Sequence, residues 1–266
     1  MHSTNLVKKK SLVAAILLLL LFCSGNYAAA QEADKWQYEA TLYLWLPGID
    51  GDLKYTLPGD GGGVLPIDSS TVLDSLNMTF MGNLAAHYNK WSFAADIIYL
   101  DMSNSKNTVI PIGQEAVDVY ADLGLSGWMV SAIIGYDVVQ TDRVRLAVLG
   151  GLRYFTLDAD ANLSVNGPLP PTPPPASLSE STDLWDGIVG VRGSIMLNGH
   201  WFLPYYADIG TGDSDLTWQL FAGIGYQFNW GDIKLGYRYL KYDQGDDKFL
   251  QDFEFYGPIM GVGFRF

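Results

Sequence analysis

Few side chains in this sequence are suited to acid–base chemistry near neutral pH. There are three histidines, His2, His87 and His200, and one cysteine, Cys23. Hydrolytic sites of the Ser–His or Asp–His kind need a histidine as base or orienter. His2 lies in a leader-like N-terminus, and His87 and His200 lie in or beside short polar breaks, away from the longer polar segments. No catalytic residue is assigned, and an acid-only site is what remains of an enzymatic reading. The stretch "DADAN" at 158–162 resembles the start of a calcium loop, but Leu163 stands where glycine is required and no glutamate follows at the right spacing. No metal and no cofactor is expected.

A larger set of charges is organised differently. Glu39, Asp96, Asp186 and Asp208, with Arg145, Arg153, Arg192, Lys234 and Arg238, all fall on one parity of segments that alternate polar and apolar residues. The opposite parity is uncharged at its centre, as at Leu42, Leu44, Ile97, Val130, Ile134, Val189, Val191, Leu220, Ile224, Leu235 and Val262. Period-two alternation marks strands with two unlike faces. In lipid, each outward base would cost about 2–4 kcal/mol at the midplane. The charges are therefore expected to face a lumen as a mutually paired network.

The alternation defines ten segments, at 36–46, 77–89, 91–102, 119–139, 143–157, 184–198, 201–210, 216–229, 233–242 and 253–266. Short breaks at 89–90, 140–142, 198–200 and 230–232 alternate with long ones at 47–76, 103–118, 158–183, 211–215 and 243–252. An even strand number with short turns on one side and long loops on the other predicts an all-β transmembrane antiparallel up-and-down barrel. Ten strands are expected, with eight and twelve as alternatives. "LKYTL" at 53–57 either extends the first strand or adds to the count.

A β-sandwich also alternates. Tryptophan separates the two folds. Trp36, Trp91, Trp201 and Trp230 fall at the short-turn ends, and Trp128, Trp185 and Trp218 toward the long-loop ends, forming two girdles. Trp45 shares the inward parity and is expected to cap the lumen.

Lys8, Lys9 and Lys10 precede an unbroken apolar run from Leu12 to Cys23, and "SGNYAAAQ" follows with small residues at Ala28 and Ala30. This is the order of a cleaved secretory signal peptide, and the run is too short for a membrane-spanning helix. The expected domains are a signal peptide at 1–30 and a barrel at 31–266. Losing the leader's three lysines takes the net charge from -13 to -16, which disfavours nucleic acid as a partner. The five long breaks carry 17 Asp or Glu against 3 Lys. They read as a solvated rim, bridged to anionic lipopolysaccharide by divalent ions. "GPLPPTPPP" at 167–175 reads as a stiff polyproline II spacer, and 68–76 as a short capped helix or plain loop.

The chain closes on "YGPIMGVGFRF", with Tyr256, Met260, Val262, Phe264 and Phe266 on one parity. This resembles the carboxy-terminal signal of bacterial outer-membrane barrels, which implies reading by the barrel-assembly machinery. With "LYLWLPGIDGD" near the start and "GYRYL" before the last strand, the mature chain resembles a little-characterised family of proteobacterial outer-membrane β-barrel proteins. The likeness implies a monomeric barrel in the outer membrane of a Gram-negative bacterium, in contact with lipid and lipopolysaccharide. The leading function is a structural or small-solute-permeable envelope component. The alternatives are a surface-binding or adhesion module acting through the acidic and Pro-rich loops, and a rim-sited outer-membrane enzyme. Ten strands lie near the limit where side chains fill a barrel, so a filled lumen is favoured over a small pore.

Overall fold

The computed structural model describes residues 35–57, 61–67, 76–112, 115–166, 176–244 and 250–266. The expected signal peptide at 1–30, the Pro-rich segment at 167–175 and most of 68–76 lie outside these residues. Twelve strands are present, and no helix occurs among the described residues. They are β1 (Gln37–Trp45), β2 (Gly48–Leu57), β3 (Gly61–Ile67), β4 (Leu76–Tyr88), β5 (Trp91–Ile112) and β6 (Glu115–Gln140). Then follow β7 (Val144–Asn166), β8 (Ala176–Met196), β9 (Trp201–Gly212), β10 (Leu216–Gln227), β11 (Gly231–Asp243) and β12 (Leu250–Arg265).

Ten of these strands close a barrel. Each of β4 to β11 pairs antiparallel with the next in sequence, and β1 pairs with both β4 and β12. The seam runs from Glu39 opposite Arg265 to Trp45 opposite Ile259. Backbone bonds between Tyr38 and Phe266 extend it, at 2.9 and 3.0 Å. Closure leaves no unpaired edge in the barrel wall, and only a closed sheet satisfies its backbone in hydrocarbon.

The remaining strands, β2 and β3, form a hairpin outside the closed ring. Strand β1 stops at Leu46-Pro47, where proline supplies no N–H. β2 then continues along the same partner, from Gly48 opposite Tyr256 to Gly51 opposite Phe253. "LKYTL" is therefore part of an extension of the first strand, and the barrel count stays at ten.

Two segments expected as loops are largely ladder. β5 and β6 stay paired as far as Ile112 and Glu115, and β7 and β8 as far as Leu163 and Ala176. Asp158 to Asn162 lie within β7 rather than in a loop. Side-chain alternation weakens there, but backbone pairing needs only a neighbouring strand, and the growing hairpin supplies one. The result is a wall that is tall on one side: β5 to β8 run 22, 26, 23 and 21 residues, against 12, 12 and 13 for β9 to β11.

Small residues permit the curvature. A Cβ at Gly151 would collide with the Ala132 carbonyl, and one at Gly190 with the Ala207 carbonyl. These inward glycines are sites of close strand approach rather than vacant lumen. The β4–β5 turn places Asn89 at φ 53°, a conformation that asparagine tolerates better than most residues.

Candidate functional site in the lumen

The outer surface defines the inner one. Each of the ten wall strands presents a large apolar side chain outward: Leu42, Leu84, Phe93, Ile134, Leu152, Val189, Ile209, Leu220, Leu235 and Met260. Val189 is 61 % exposed and Leu84 57 %. An apolar belt continuous around the wall is a hydrocarbon-facing surface, far larger than the patches water-soluble monomers expose.

Tryptophans border the belt. Trp36, Trp91, Trp201 and Trp230 are exposed at the short-turn end, where Trp36 stacks on Tyr88 at 5.1 Å and Trp230 lies against Phe264 at 5.5 Å. Toward the other end, Trp128 and Trp185 are exposed and Trp218 half-buried, packed on Tyr99, Tyr154 and Tyr239 respectively. Tyr256, Met260, Val262, Phe264 and Phe266 share the outward face of the closing strand, with Met260 and Phe266 the most exposed.

Inside, the long-loop half of the lumen is packed with apolar side chains. Trp45, Leu240, Tyr242, Phe253 and Phe255 are essentially excluded from solvent. Phe155 stacks on Tyr242 at 4.9 Å and meets Phe255 edge-on at 6.0 Å. The Tyr242 hydroxyl donates to Met129 Sδ at 3.4 Å. A void of about 30 Å³ is left against this plug. These residues are inward-parity positions at the upper ends of five strands, and barrel closure brings them together.

A polar layer lies directly beneath. The Arg238 guanidinium sits 4.8 Å from the centroid of the Trp45 ring, a cation–π contact. It donates to Asp96 Oδ2 from both Nη atoms at 3.2 Å, to Gln219 Oε1 at 2.6 Å and to the Tyr43 hydroxyl at 3.3 Å. Tyr43 in turn donates to Asp96 Oδ1 at 2.9 Å. Arg153 pairs with Asp208 and donates to Ser131 Oγ at 3.4 Å and Thr217 Oγ1 at 3.3 Å. Buried charges survive only when paired and hydrogen-bonded in this manner.

Two further clusters lie toward the short turns. Lys234 Nζ contacts Glu39 at 2.9 Å and Asp232 at 3.0 Å, and Arg265 contacts Asp232 at 2.6 Å, which ties β11, β12 and β1 across the seam. Arg145 pairs with Asp137 at 2.7 Å and approaches His87 Nδ1 at 3.3 Å. Asp137, Asp232 and Arg265 were absent from the sequence-derived set. They stand at strand ends, where turn and strand are hard to separate, but the inward alternation extends to each of them.

The expectation of mutual pairing needs correction at two positions. Asp186 pairs with no cation among the described residues; it accepts from the Ser214 backbone N–H at 3.0 Å and from the Ser214 hydroxyl at 2.9 Å, tethering the β9–β10 connection. Arg192 makes no ion pair among the described residues, and its Nη2 has no hydrogen-bond partner. Barrel curvature turns these two side chains toward different neighbours. A cavity of about 200 Å³ remains in the lumen, lined by Arg192, Tyr206, Asn83, Phe221, Lys234 and Arg238 among others.

No family model matches this chain, and no curated protein is similar to it in sequence. Among solved structures, the chain is similar to the outer-membrane protease OmpT from Escherichia coli, at 11 % identity over 88 % of this chain and 97 % of that one, with a TM-score of 0.47. It is also similar to the translocator domain of the autotransporter NalP from Neisseria meningitidis, at 16 % identity over 99 % and 98 %, TM-score 0.40. The attachment invasion locus protein Ail of Yersinia pestis gives 12 % identity over 88 % and 99 %, TM-score 0.32. These are likenesses of barrel architecture, and they carry no activity to this chain.

Proposed function

We propose that this chain is an integral outer-membrane protein of a Gram-negative envelope, a closed barrel with a structural role rather than a pore. The observation that carries the reading is the apolar plug around Trp45, Tyr242, Phe253 and Phe255, seated on the Arg238 and Arg153 networks. An ion crossing it would have to shed its water against aromatic rings, with no polar group to replace the lost hydration. The belt on all ten wall strands supports a monomer embedded in lipid, with lipopolysaccharide as its outer neighbour. The outward face of β12, ending at Phe266, supports reading by the barrel-assembly machinery. His87 and His200 both lie toward the short turns, which supports a non-catalytic role.

The test is conductance of refolded, heat-modifiable protein in planar bilayers. A closed lumen gives no stepwise current, and discrete sustained openings would overturn it.

The height of β5 to β8 favours a second role as a surface platform. Spanning hydrocarbon takes roughly 9–11 tilted residues. β6 has 26, so more than half of it stands clear of the membrane. Trimming the β5–β6 and β7–β8 hairpins to membrane height should leave the barrel foldable and abolish adhesion of cells to a host or abiotic surface. Unchanged adhesion of cells bearing the trimmed protein would reject the platform.

A further inference from the structure

Charge matching in the lumen leaves one cation over. Glu39 is held by Lys234, Asp96 by Arg238, Asp137 by Arg145 and Asp208 by Arg153. Asp232 is shared between Lys234 and Arg265, and Asp186 is satisfied by Ser214. Among the described residues Arg192 forms an ion pair with no carboxylate; the like charge of Arg145 acts on it more strongly than the opposite charges of Asp137 and Glu39, and its Nη2 is buried without a hydrogen-bond partner. A guanidinium presents planar, paired donors suited to two oxygens of one anion. Leaving such a donor unmatched in a largely buried position is costly.

A second donor faces the same space. Ser92 is 1 % exposed, and its Oγ has no hydrogen-bond partner among the described residues. Gly135 lies opposite Ser92 in the β5–β6 ladder. A methyl group on Gly135 would stand 2.6 Å from Ser92 Oγ, 3.5 Å from Arg192 Nη2 and 3.6 Å from Arg192 Nε. Both donors therefore look into one small space over a glycine that lacks the side chain to fill it. Arg192 also lines the adjoining 200 Å³ cavity, as do Tyr206, its partner in the β8–β9 ladder, and the carboxylates of Glu39 and Asp96, which Lys234 and Arg238 neutralise.

The approach is one-sided. Trp45, Leu240, Tyr242 and Phe253 seal the long-loop half. At the short-turn mouth, the side chains of Arg145 and Arg265 remain 39 % and 42 % exposed. Each is paired with a carboxylate, Asp137 and Asp232 respectively, so this open end is polar and hydrated rather than sealed.

We propose that the lumen holds a site for one small oxyanion, phosphate- or carboxylate-sized, entered from the short-turn mouth. Arg192 is the anchoring residue and Ser92 donates beside it. The anion supplies the carboxylate-like partner that the fold withholds from Arg192. The cavity admits a soluble anion, whereas the plug bars a lipid headgroup arriving from the outer leaflet.

The test is calorimetric titration of refolded, heat-modifiable protein in detergent with inorganic phosphate, against sodium acetate and against sodium chloride at matched ionic strength. Saturable one-site binding of phosphate or acetate, not reproduced by chloride, is expected. The relative affinities of the first two identify the anion class. Arg192→Gln should weaken binding on the order of tenfold or more, the worth of a lost charge-assisted contact. Gly135→Ala keeps the arginine but intrudes on the seat, and should weaken binding likewise; it decides the matter if the arginine variant does not fold. Absence of saturable binding to the wild-type chain, or affinity unchanged in either folded variant, would overturn the site and leave Arg192 hydrated only. Conductance reports separately on the closed lumen, so failure of one reading does not imply failure of the other.

Discussion

Arg153 on β7 and Asp208 on β9 form an ion pair inside the barrel, with side chains 1 % and 0 % exposed. Neither is a strand neighbour of the other, since β8 lies between them. The pair therefore pins the curvature of three consecutive strands. Removing one partner leaves the other charge buried and unmatched, at a cost of about 3–5 kcal/mol. Asp208→Asn should lower unfolding free energy in lipid vesicles by that order, measured by denaturant titration with tryptophan fluorescence. A loss below about 1 kcal/mol, as for exposed pairs, would show that water reaches the pair.

The plug makes a prediction of the opposite kind, a gain of current. Trp45 is the largest of the fully buried side chains and roofs Arg238. Trp45→Ala should cost about 3–5 kcal/mol in stability. It should also convert a silent barrel into one with brief stepwise openings in a planar bilayer. A silent, folded Trp45→Ala barrel would place the seal on the remaining aromatic residues.

Outward parity predicts a penalty that a water-facing surface would not impose. Val189 lies in the belt, paired with Ile209 on β9. Val189→Arg should destabilise the lipid-embedded barrel by about 2–4 kcal/mol. In a water-exposed position the change would stay within about 0.5 kcal/mol. Unfolding in vesicles separates the two values.

The closing strand predicts a kinetic effect. Phe266 stacks near Tyr38 at 6.1 Å, and its backbone joins the seam. Phe266→Ser should slow the appearance of heat-modifiable protein in the outer membrane of cells while leaving detergent refolding largely unchanged. Equal assembly rates in cells would dismiss the role of the terminal aromatic residue.

The architecture was legible because it is periodic. Leu42, Ile134, Val189 and Leu235 repeat on one parity, and Glu39, Arg153 and Arg238 on the other; a strand converts parity directly into inside and outside. Turn length and tryptophan placement are likewise local quantities. The tall hairpins were not legible, because β5 to β8 continue past the point where alternation carries a signal, held by backbone pairing that any sequence can supply. Asp137, Asp232 and Arg265 were missed because they sit at strand ends.

Partner choice inside the lumen belongs to the tertiary structure. Arg238 meets Asp96 across 142 positions of sequence and Lys234 meets Glu39 across 195. Parity places such groups in one interior but says nothing of their height or bearing. Those follow from strand tilt, register and the closing of β12 on β1, which also bring Trp45, Tyr242 and Phe253 into a plug. The same geometry leaves Arg192 without an ion-pair partner among the described residues. A count of inward charges gives near-balance, but only the closed barrel decides which charges can touch.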